Sequence, residues 1–382
     1  MTIKPLKKLA ALSLALLILL AGCQTADTTW AFELEGERLP SGAYILFQNQ
    51  ALINATDRLY QDWLAWDRSE DREGPEPAFI FDLSPSEMLS VEIDGMAMRD
   101  WVVIEGQRLA RRHFAVLSLL DEYEIEVDPA LLAQADAAAR REYQQSEASF
   151  REIGVAESSL ALTYRSSVSL NALFEGLYGE EGAQPVPEAE IRAYFDENFF
   201  RAQHLFFWKD EVHPEDFEGQ AELAEAQRLA EQENARLREL ANTYLERLRD
   251  GEAIEDLQYE LDVELGGEDA SFGRSRPGGL DVIIRRDTQN HFLFPQEMMD
   301  ALGATAPGQS AMVESDSAII LIRRLDIFER ASDLEDHREE IVHSLRHGEP
   351  FFAMLDERAD ELPIVANQNA LSRYQPNRLL GV

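Results

Sequence analysis

The sequence predicts an α+β protein in which a mainly helical N-terminal part precedes a domain with a small antiparallel sheet flanked by helices. Long helical patterns cover residues 96–122, 129–153 and 157–178. From residue 199 to residue 327 the order is strand, long helix, short helix, loop, helix, strand. That order is typical of a small sheet covered by helices. Helical patterns return over residues 332–362.

Local signals define the first elements. The stretch WAFELEGERLP alternates apolar and polar residues around Gly36, which predicts a hairpin. The stretch SVEIDG predicts a second strand and turn, and the helix between them carries Trp63 and Trp66 near one face. Pro129 stands where a helix begins. The stretch GEEGAQPVP, residues 179–187, combines glycine, proline and acids and predicts a linker.

The elements after this linker form the predicted second domain. RAQHLFFWKD, residues 201–210, predicts a short strand. The next helix carries apolar residues at spacings of three and four, and Gly251 ends it. Residues 266–286 are rich in turn signals, FPQEMMDAL predicts a short helix, and SAIILIRRLDI predicts a buried strand. The expected division is a leader at 1–22, a helical domain at 23–186, a sheet domain at 187–328, and a C-terminal helix and tail at 329–382 that pack on the helical domain.

The first 22 residues have the plan of a secretory signal. A basic start is followed by an apolar run from Leu9 to Leu20, which is too short for a comfortable membrane span. The following Cys23 is the only cysteine in the chain, so no intramolecular disulfide can form. The ending LAGC resembles a bacterial lipobox, which implies cleavage before Cys23 and lipid on its thiol. The alternative is an ordinary signal peptide with an incidental cysteine.

Composition narrows the function classes. The chain has 72 acidic and 35 basic residues and a formal net charge of −37. Such a surface repels phosphate backbones, so nucleic acid is not an expected partner. The sequence has no GxxxxGK[ST] phosphate loop, no CxxC pair, no GxSxG elbow and no HExxH motif. Protein handling or ligand binding without a cofactor therefore remain as the leading classes.

His204 is the residue whose role most needs a decision, because it stands alone in an apolar, aromatic run. One interpretation is a hydrogen-bonded histidine of the core, and the other is a site residue. The stretch HREEIVHSLRH offers a competing metal site, since His343 and His347 are four residues apart with Glu339 or Glu340 one turn earlier. A solvent-facing helical stripe explains that spacing equally well.

Several longer stretches resemble one family of proteins in their order and spacing. VPEAEIRAYFDENFFRAQHLFF is similar to the opening helix and first strand of a parvulin-type peptidyl-prolyl isomerase. YLERLRDGEAIEDLQYELD is similar to the helix, glycine and acidic turn that follow, and FPQEMMDALGATAPGQSAMVESDSAIILIRRLDI to the closing helix, Pro-Gly turn and final strand. With the lipobox and the stretches EGERLPSGAYI and VEIDGMAMRDW, nearly the whole mature chain resembles PrsA-like foldase lipoproteins, with SurA as a more distant relative.

The resemblance implies an apolar proline pocket beside a small polar network. His204 falls at the first histidine of that network, and Asp262 falls at its cysteine-or-aspartate position. The implied substrate-binding residues are apolar and lie in the second domain: Phe272, Phe294, Met298 and Leu302. The second family histidine is missing, because Ala318 stands at its position. Core packing explains the spacing of Phe294, Met298 and Leu302 equally well.

The function implied by the resemblance is that of a lipid-anchored, ATP-independent foldase. Its partners would be unfolded or newly secreted polypeptides and their proline-containing segments, with the membrane reached through lipid at Cys23. No cofactor and no metal are expected. A holdase chaperone with an inactive parvulin domain is the first alternative. A ligand-binding lipoprotein is the second, although the chain lacks the repeated βαβ units that such a protein would show.

The methionine and tryptophan content of the helical part suits an adaptable client surface. The residues concerned are Trp63, Trp66, Met88, Met96, Met98 and Trp101. The alternative is that they fill the helical core.

Overall fold

The structure is a computed structural model that describes residues 29–67, 77–266, 280–287 and 294–380. The predicted leader, the lipidation residue Cys23 and the predicted pocket residue Phe272 lie outside these ranges. The chain forms two compact units. Of the described residues, those up to 185 and from 344 onward form the helical unit, and those from 186 to 343 form the sheet unit. The predicted boundaries at 187 and 329 differ from this division mainly at the C-terminal side.

The helical unit combines long helices with short strands. Its strands are β1 (Trp30–Leu34), β2 (Glu37–Pro40), β3 (Glu92–Ile93), β4 (Met96–Ala97) and β9 (Val365–Ala366). Its helices are α1 (Ser41–Asp67), α2 (Pro85–Met88), α3 (Met98–Glu122), α4 (Pro129–Gln145), α5 (Glu147–Ile153), α6 (Glu157–Tyr178), α13 (Glu349–Glu361) and α14 (Gln368–Arg373). Single 3-10 turns cover Ile80–Asp82 and Pro376–Arg378.

The sheet unit has a longer sheet between helices. Its strands are β5 (Phe199–Trp208), β6 (Asp281–Arg285), β7 (Ser310–Glu314) and β8 (Ala318–Leu325). Its helices are α7 (Glu188–Asn198), α8 (Gln220–Arg249), α9 (Ile254–Gly266), α10 (Gln296–Ala304) and α11 (Ala331–Asp336), and α12 (Arg338–Arg346) contains the division between the units. The predicted α+β class is confirmed.

Short backbone motifs fix the hairpins and helix starts. Both hairpin turns of the helical unit have two residues with positive φ, Glu35-Gly36 (51° and 93°) and Asp94-Gly95 (52° and 79°). This is the geometry of the two-residue turns that favour glycine at the second position. Asp128 accepts a hydrogen bond of 2.7 Å from the amide of Ala130, with Pro129 as the first helical residue of α4.

The C-terminal segment completes the helical unit. Strand β9 pairs antiparallel with β1, with Phe32 opposite Ala366. The side chain of Asn367 donates to the carbonyl of Trp30 at 2.9 Å. Helix α13 is tied to α3 because Arg112 forms two hydrogen bonds with Asp356, at 2.6 and 2.7 Å. Residues far apart in sequence therefore build one core.

The sheet of the second unit has the strand order β6-β5-β8-β7 with every neighbour antiparallel. Because side chains alternate along a strand, the two sides of β5 bury different residues. Leu205 and Phe207 pack in a cluster with α8 and α9. Phe200 and Ala202 pack in a cluster with α10. We call these two sides of the sheet the α8 face and the α10 face.

Two sequence predictions for this unit were wrong. Residues 266–286 were expected to be turns, but strand β6 occupies Asp281–Arg285 and pairs with β5. The acidic turn that the resemblance implied around Asp262 is instead helix α9, the short helix expected after the long one. Ile254, Leu257 and Leu261 recur at helical spacing and are all buried against the sheet, which accounts for the helix.

Helices α1 and α3 approach closely at Gly106. A Cβ added there would lie 2.8 Å from Cγ and 3.1 Å from Cα of Gln48. Replacing Gly106 by alanine should therefore lower the free energy of unfolding by about 1–3 kcal/mol, since backbone must move to make room. A glycine-to-alanine change inside a helix otherwise gains up to about 1 kcal/mol.

Gly303 in α10 is the matched control, because the nearest atom to an added Cβ is 3.8 Å away on the Phe200 ring. Gly303→Ala should leave stability unchanged or raise it. Urea unfolding of the two variants measures the difference, and a loss of equal size in both would contradict close helix packing as the cause.

Candidate functional site

His204 lies in the middle of strand β5, opposite Ile322 of β8. Residues 200, 202, 204, 206 and 208 share one side of the strand, so His204 belongs to the α10 face. Its side chain is half-buried. On this face Phe200 and Ala202 are buried and Trp208 is exposed. His204 therefore lies between the buried and the exposed part of the face.

Two aromatic rings stand next to the imidazole. The Phe206 ring lies 5.3 Å from it and the Phe294 ring 6.1 Å, centroid to centroid, and both meet it nearly at right angles (81°). Edge-to-face contacts of this kind are a favourable arrangement of aromatic rings. Both phenylalanine rings are themselves half-buried, so they form an apolar wall that a ligand can reach.

Helix α10 provides the floor beside this wall. Met298 and Leu302 are fully buried, and they pack in one cluster with Phe200, Ala318 and Ile320. Phe294 precedes the helix and packs against the same cluster. The structure thus brings His204, Phe294, Met298 and Leu302 to one face of the sheet, as a shared site requires; their roles in substrate binding and catalysis stay predictions.

Arg324 holds the C-terminal end of α10 against the sheet. Its guanidinium donates to the carbonyls of Leu302 (3.3 Å) and Thr305 (3.0 Å) and lies 5.1 Å from the centroid of the Phe200 ring. Cations are favourable at a helix C-terminus. Burial, and secondarily the nearby Arg286, lowers the pKa of Arg324. This contact fixes the helix that carries Met298 and Leu302.

The aromatic surface continues past the predicted residues. The rings of Phe206 and Trp208 stack 5.0 Å apart and nearly parallel (9°), and Trp208 remains 48% exposed. Phe206 and Trp208 were not predicted as site residues, although they follow His204 at spacings of two and four. The alternation within RAQHLFFWKD contains that signal, because every second residue of a strand lies on one face.

Ala318 occupies the position expected for a second histidine. It lies opposite Trp208 and is fully buried. Its amide donates to the hydroxyl of Ser315 at 3.2 Å, and its carbonyl accepts from the amide of Ser315 at 2.8 Å. The alanine contributes no titratable group to the α10 face, so His204 has no histidine partner at that position.

Asp262 lies elsewhere. It is part of α9, where its carboxylate accepts a hydrogen bond of 2.7 Å from the side chain of Gln258. Leu257 and Leu261 of the same helix pack in the cluster of the α8 face. The structure therefore does not bring Asp262 to the α10 face, and its predicted role beside His204 has no geometric support.

A second group of aromatic rings lies in the helical unit. Tyr60 and Trp63 of α1 stack 6.3 Å apart, and Phe79 lies 4.7 Å from Trp63. Phe81 lies 5.4 Å from both Tyr60 and Phe79 and is 63% exposed. Of the residues expected to form a client surface, Met98 is fully buried in the core, whereas Trp63 belongs to this partly exposed group.

Within the described ranges no three acidic, histidine or cysteine side chains are placed to hold a metal. His347, one half of the alternative metal pair, packs edge-on against Phe174 at 5.2 Å and Phe352 at 5.1 Å. In the part of the chain that the structure describes, no helix is long and apolar enough to span a membrane.

Comparison with known proteins gives structural neighbours only. No family model matches the sequence, and no curated protein matches it. Foldase protein PrsA from Lactococcus lactis is 9% identical with a TM-score of 0.34, over 91% of this chain and 99% of that one. PrsA from Streptococcus pneumoniae str. Canada MDR_19A is 11% identical (TM-score 0.31), over 74% of this chain and 97% of that one.

A third neighbour is the peptidylprolyl isomerase PrsA from Bacillus cereus, which is 15% identical (TM-score 0.30), over 76% of this chain and 98% of that one. At these identities and TM-scores, no residue of this chain takes a role from the neighbours.

Proposed function

We propose that this protein is a foldase that binds proline-containing segments of polypeptides on the α10 face and accelerates rotation about their X–Pro bonds. The observation that carries the proposal is the accessible aromatic wall of Phe206 and Phe294 around His204. An apolar wall of this kind suits a prolyl ring, because the ring is apolar, compact and rigid.

The mechanism needs no covalent step. Rotation about a peptide bond has a barrier of about 18–20 kcal/mol. An apolar wall removes water from the bound amide, and the planar form loses more from this than the twisted form does. Binding the twisted amide more tightly than the planar one is sufficient for catalysis. His204, held between two ring edges, offers the bound segment one hydrogen-bonding group in a fixed orientation.

The proposed setting is the extracytoplasmic face of a bacterial cell membrane, with lipid on Cys23. The basic and apolar composition of residues 1–22 and the LAGC sequence support this setting. Newly secreted polypeptides would be the clients. The aromatic group of Tyr60, Trp63, Phe79 and Phe81 supports a holding role for the helical unit, because partly exposed aromatic rings suit apolar client segments.

A holdase chaperone without isomerase activity is the second candidate. The observation that favours it is Ala318, which leaves His204 without a histidine on the neighbouring strand. In that case the α10 face would still bind apolar segments, but the protein would suppress aggregation without accelerating proline isomerisation.

Proline-limited refolding of an unfolded protein, together with a protease-coupled X–Pro peptide assay, separates the two candidates. We expect His204→Ala and Phe294→Ala each to lower kcat/KM by about tenfold or more, since each removes a group at the bound bond. His213→Ala is the matched control, because His213 follows the same strand but is exposed, and it should keep full activity.

Aggregation of an unfolded secreted protein is measured in parallel. Wild-type turnover at background level with intact suppression of aggregation would select the holdase. Equal activity in the wild type and both variants would show that the α10 face is not the catalytic site. Failure of both assays would contradict the foldase proposal as a whole.

A further inference from the structure

The helical unit contains a cavity of about 540 Å³ between α1, α3, α6 and α13. Much of its lining is apolar and comes from Leu46, Phe47, Leu109, Val116, Leu160 and Leu170. Sites for small molecules typically have volumes of about 300–1,000 Å³, apolar walls and a few placed polar groups. The cavity has these dimensions and apolar walls, and its polar groups are concentrated on α6.

The polar wall presents hydrogen-bond acceptors. Thr163, Ser166 and Ser167, which each carry a hydroxyl group, are among the residues that line the cavity. Thr163 donates to the carbonyl of Leu160 at 2.8 Å, Ser166 to that of Leu162 at 2.9 Å, and Ser167 to that of Thr163 at 3.3 Å. A hydroxyl has a single hydrogen. Since each hydrogen is already used within the helix, these oxygens can only accept from a ligand.

His113 extends this wall of acceptors. Its Nδ1 lies 2.7 Å from the hydroxyl oxygen of Ser166. The direction of this hydrogen bond depends on the histidine tautomer: when the Ser166 hydrogen points to Leu162, Nδ1 carries the hydrogen of the contact and Nε2 is the unprotonated acceptor. Burial lowers the pKa of His113 to about 4, so the ring is neutral near pH 7. A ligand that donates a hydrogen bond would therefore match the hydroxyl oxygens of α6 and this tautomer of His113.

The charged groups on the lining already have hydrogen-bond partners. Arg112 forms two hydrogen bonds with Asp356, at 2.6 and 2.7 Å, and its guanidinium covers the Phe352 ring at 4.8 Å. Glu142 accepts a hydrogen bond from the hydroxyl of Tyr164. An anionic ligand would lose its hydration without gaining an unpaired cation, because Arg112 is already paired with Asp356. The lining thus disfavours an anionic ligand.

Aromatic rings also contribute to the lining, at Phe47, His113, Tyr164 and Phe352. Such rings favour a flat aromatic guest through edge-to-face and offset contacts. We propose that this cavity binds a neutral aromatic ring carrying one hydrogen-bond donor, as indole and phenol do. The ring can be a free molecule or the tryptophan or tyrosine side chain of a bound polypeptide. The proposal does not depend on isomerase activity at His204.

Titration of the full chain with indole and with benzofuran tests the chemistry. Benzofuran has the same ring size, but an oxygen replaces the N–H group. Ligand-observed NMR and calorimetry should show indole binding about tenfold more tightly or better, because a site of acceptors leaves benzofuran without a hydrogen bond. Equal affinity for the two probes, or no binding of indole, would overturn the proposal.

Substitutions of cavity-lining residues test whether indole binds in this cavity. Thr163→Val removes one acceptor at nearly constant volume and should weaken indole about tenfold while leaving benzofuran unchanged. Thr243→Val is the matched control, because Thr243 also donates to its own helix, at 3.1 Å from Glu239, but lies exposed in α8. Leu170→Trp fills the cavity and should abolish binding of both probes. Leu131→Trp, at a leucine that is 46% exposed, should not.

Circular dichroism and thermal unfolding confirm that each variant is folded. Wild-type affinity for indole in both Thr163→Val and Leu170→Trp would place the bound ring elsewhere and overturn the proposal. The bound ring can belong to a free molecule or to a polypeptide side chain. Competition with an unstructured, uncharged peptide containing one tryptophan distinguishes these two sources. Displacement of indole by the peptide identifies a polypeptide side chain as the ligand, and indole binding without displacement identifies a free aromatic molecule.

Discussion

Replacing Arg201 by methionine is expected to lower the free energy of unfolding of the sheet unit by about 3–5 kcal/mol, because it leaves buried carboxylates without their main partner. The Arg201 side chain is only 6% exposed. It forms two hydrogen bonds with Asp281, at 3.0 and 2.8 Å, and one of 2.8 Å with Glu329. Asp333, 8% exposed, lies 3.5 Å away.

The carboxylates explain why the loss should be large. Asp281 is 15% exposed, and its remaining cation, Arg330, is 44% exposed and 3.3 Å away. Hydrogen bonding to Asp281 raises the pKa of Arg201, so the guanidinium is charged at any pH at which the protein folds. Methionine fills similar space but offers no donor. Asp281 and Asp333 would then share a single half-exposed cation, Arg330, at 3.3 and 3.0 Å, and this incomplete compensation is the cause of the expected loss.

Urea unfolding, with amide exchange in strand β5 as the local readout, measures this loss. Arg236→Met is the matched control, because Arg236 pairs with Glu233 at 2.7 Å while both side chains are well exposed (47% and 38%). Exposed pairs contribute only about 0–1 kcal/mol. A loss for Arg201→Met no larger than that of the control would mean that water replaces the guanidinium without cost.

Most of the helical unit could be predicted from the sequence because its signals are local. Pro129 begins a helix after Asp128, and the turns at Gly36 and Gly95 have the positive φ that glycine accepts readily. Helix α6, Glu157–Tyr178, has the predicted bounds. Each of these features depends on a few neighbouring residues, so its pattern is visible without any knowledge of tertiary contacts.

The sheet unit shows where local patterns are insufficient. Strand β6 is short, and its pairing with Phe199–Gln203 joins residues about eighty positions apart. Nothing within residues 281–285 identifies that partner. Helix α9, in contrast, had a readable signal in the spacing of Ile254, Leu257 and Leu261. The predicted order already had a short helix after the long one, whereas the resemblance implied an acidic turn, and the structure has the helix.

In the candidate site, too, local spacing predicts some features and tertiary packing decides the others. Period-two alternation places His204 on one face with Phe206 and Trp208, and helical spacing places Met298 and Leu302 together. That these two sets meet on the α10 face depends on how α10 packs on the sheet. Asp262 is the counterexample: its carboxyl group looked suitable in sequence, but its helix packs on the α8 face.

Acid should destabilise the helical unit through His113. Burial lowers the pKa of His113 to about 4, whereas an unperturbed imidazole has a pKa of about 6.5. The unfolded chain therefore binds a proton at a higher pH than the folded chain does. Above pH 6.5 both forms are neutral and the stabilising effect is fully present. As the pH falls from about 6.5 to about 4, the free energy of unfolding decreases by up to about 1.4 kcal/mol per pH unit.

The full loss would be about 3 kcal/mol, which is an upper limit because the ring is partly exposed to the cavity. His113→Asn isolates this contribution from the titration of carboxylates, since asparagine can keep a hydrogen bond to Ser166 but cannot bind the proton. Between pH 7 and pH 5 the variant should lose less stability than the wild type, by about 1–2 kcal/mol. His213→Asn, at an exposed histidine, should follow the wild type.

Urea unfolding at each pH, with amide exchange in α3 as the local readout, gives both curves. Parallel curves for the wild type and His113→Asn would mean that the folded unit admits the imidazolium without cost. The cavity would then be wet enough to solvate a charge. That result would also remove the neutrality of the His113 ring, on which the preference for an uncharged aromatic donor partly rests. The pH dependence of unfolding therefore tests the dielectric character of the cavity independently of any ligand.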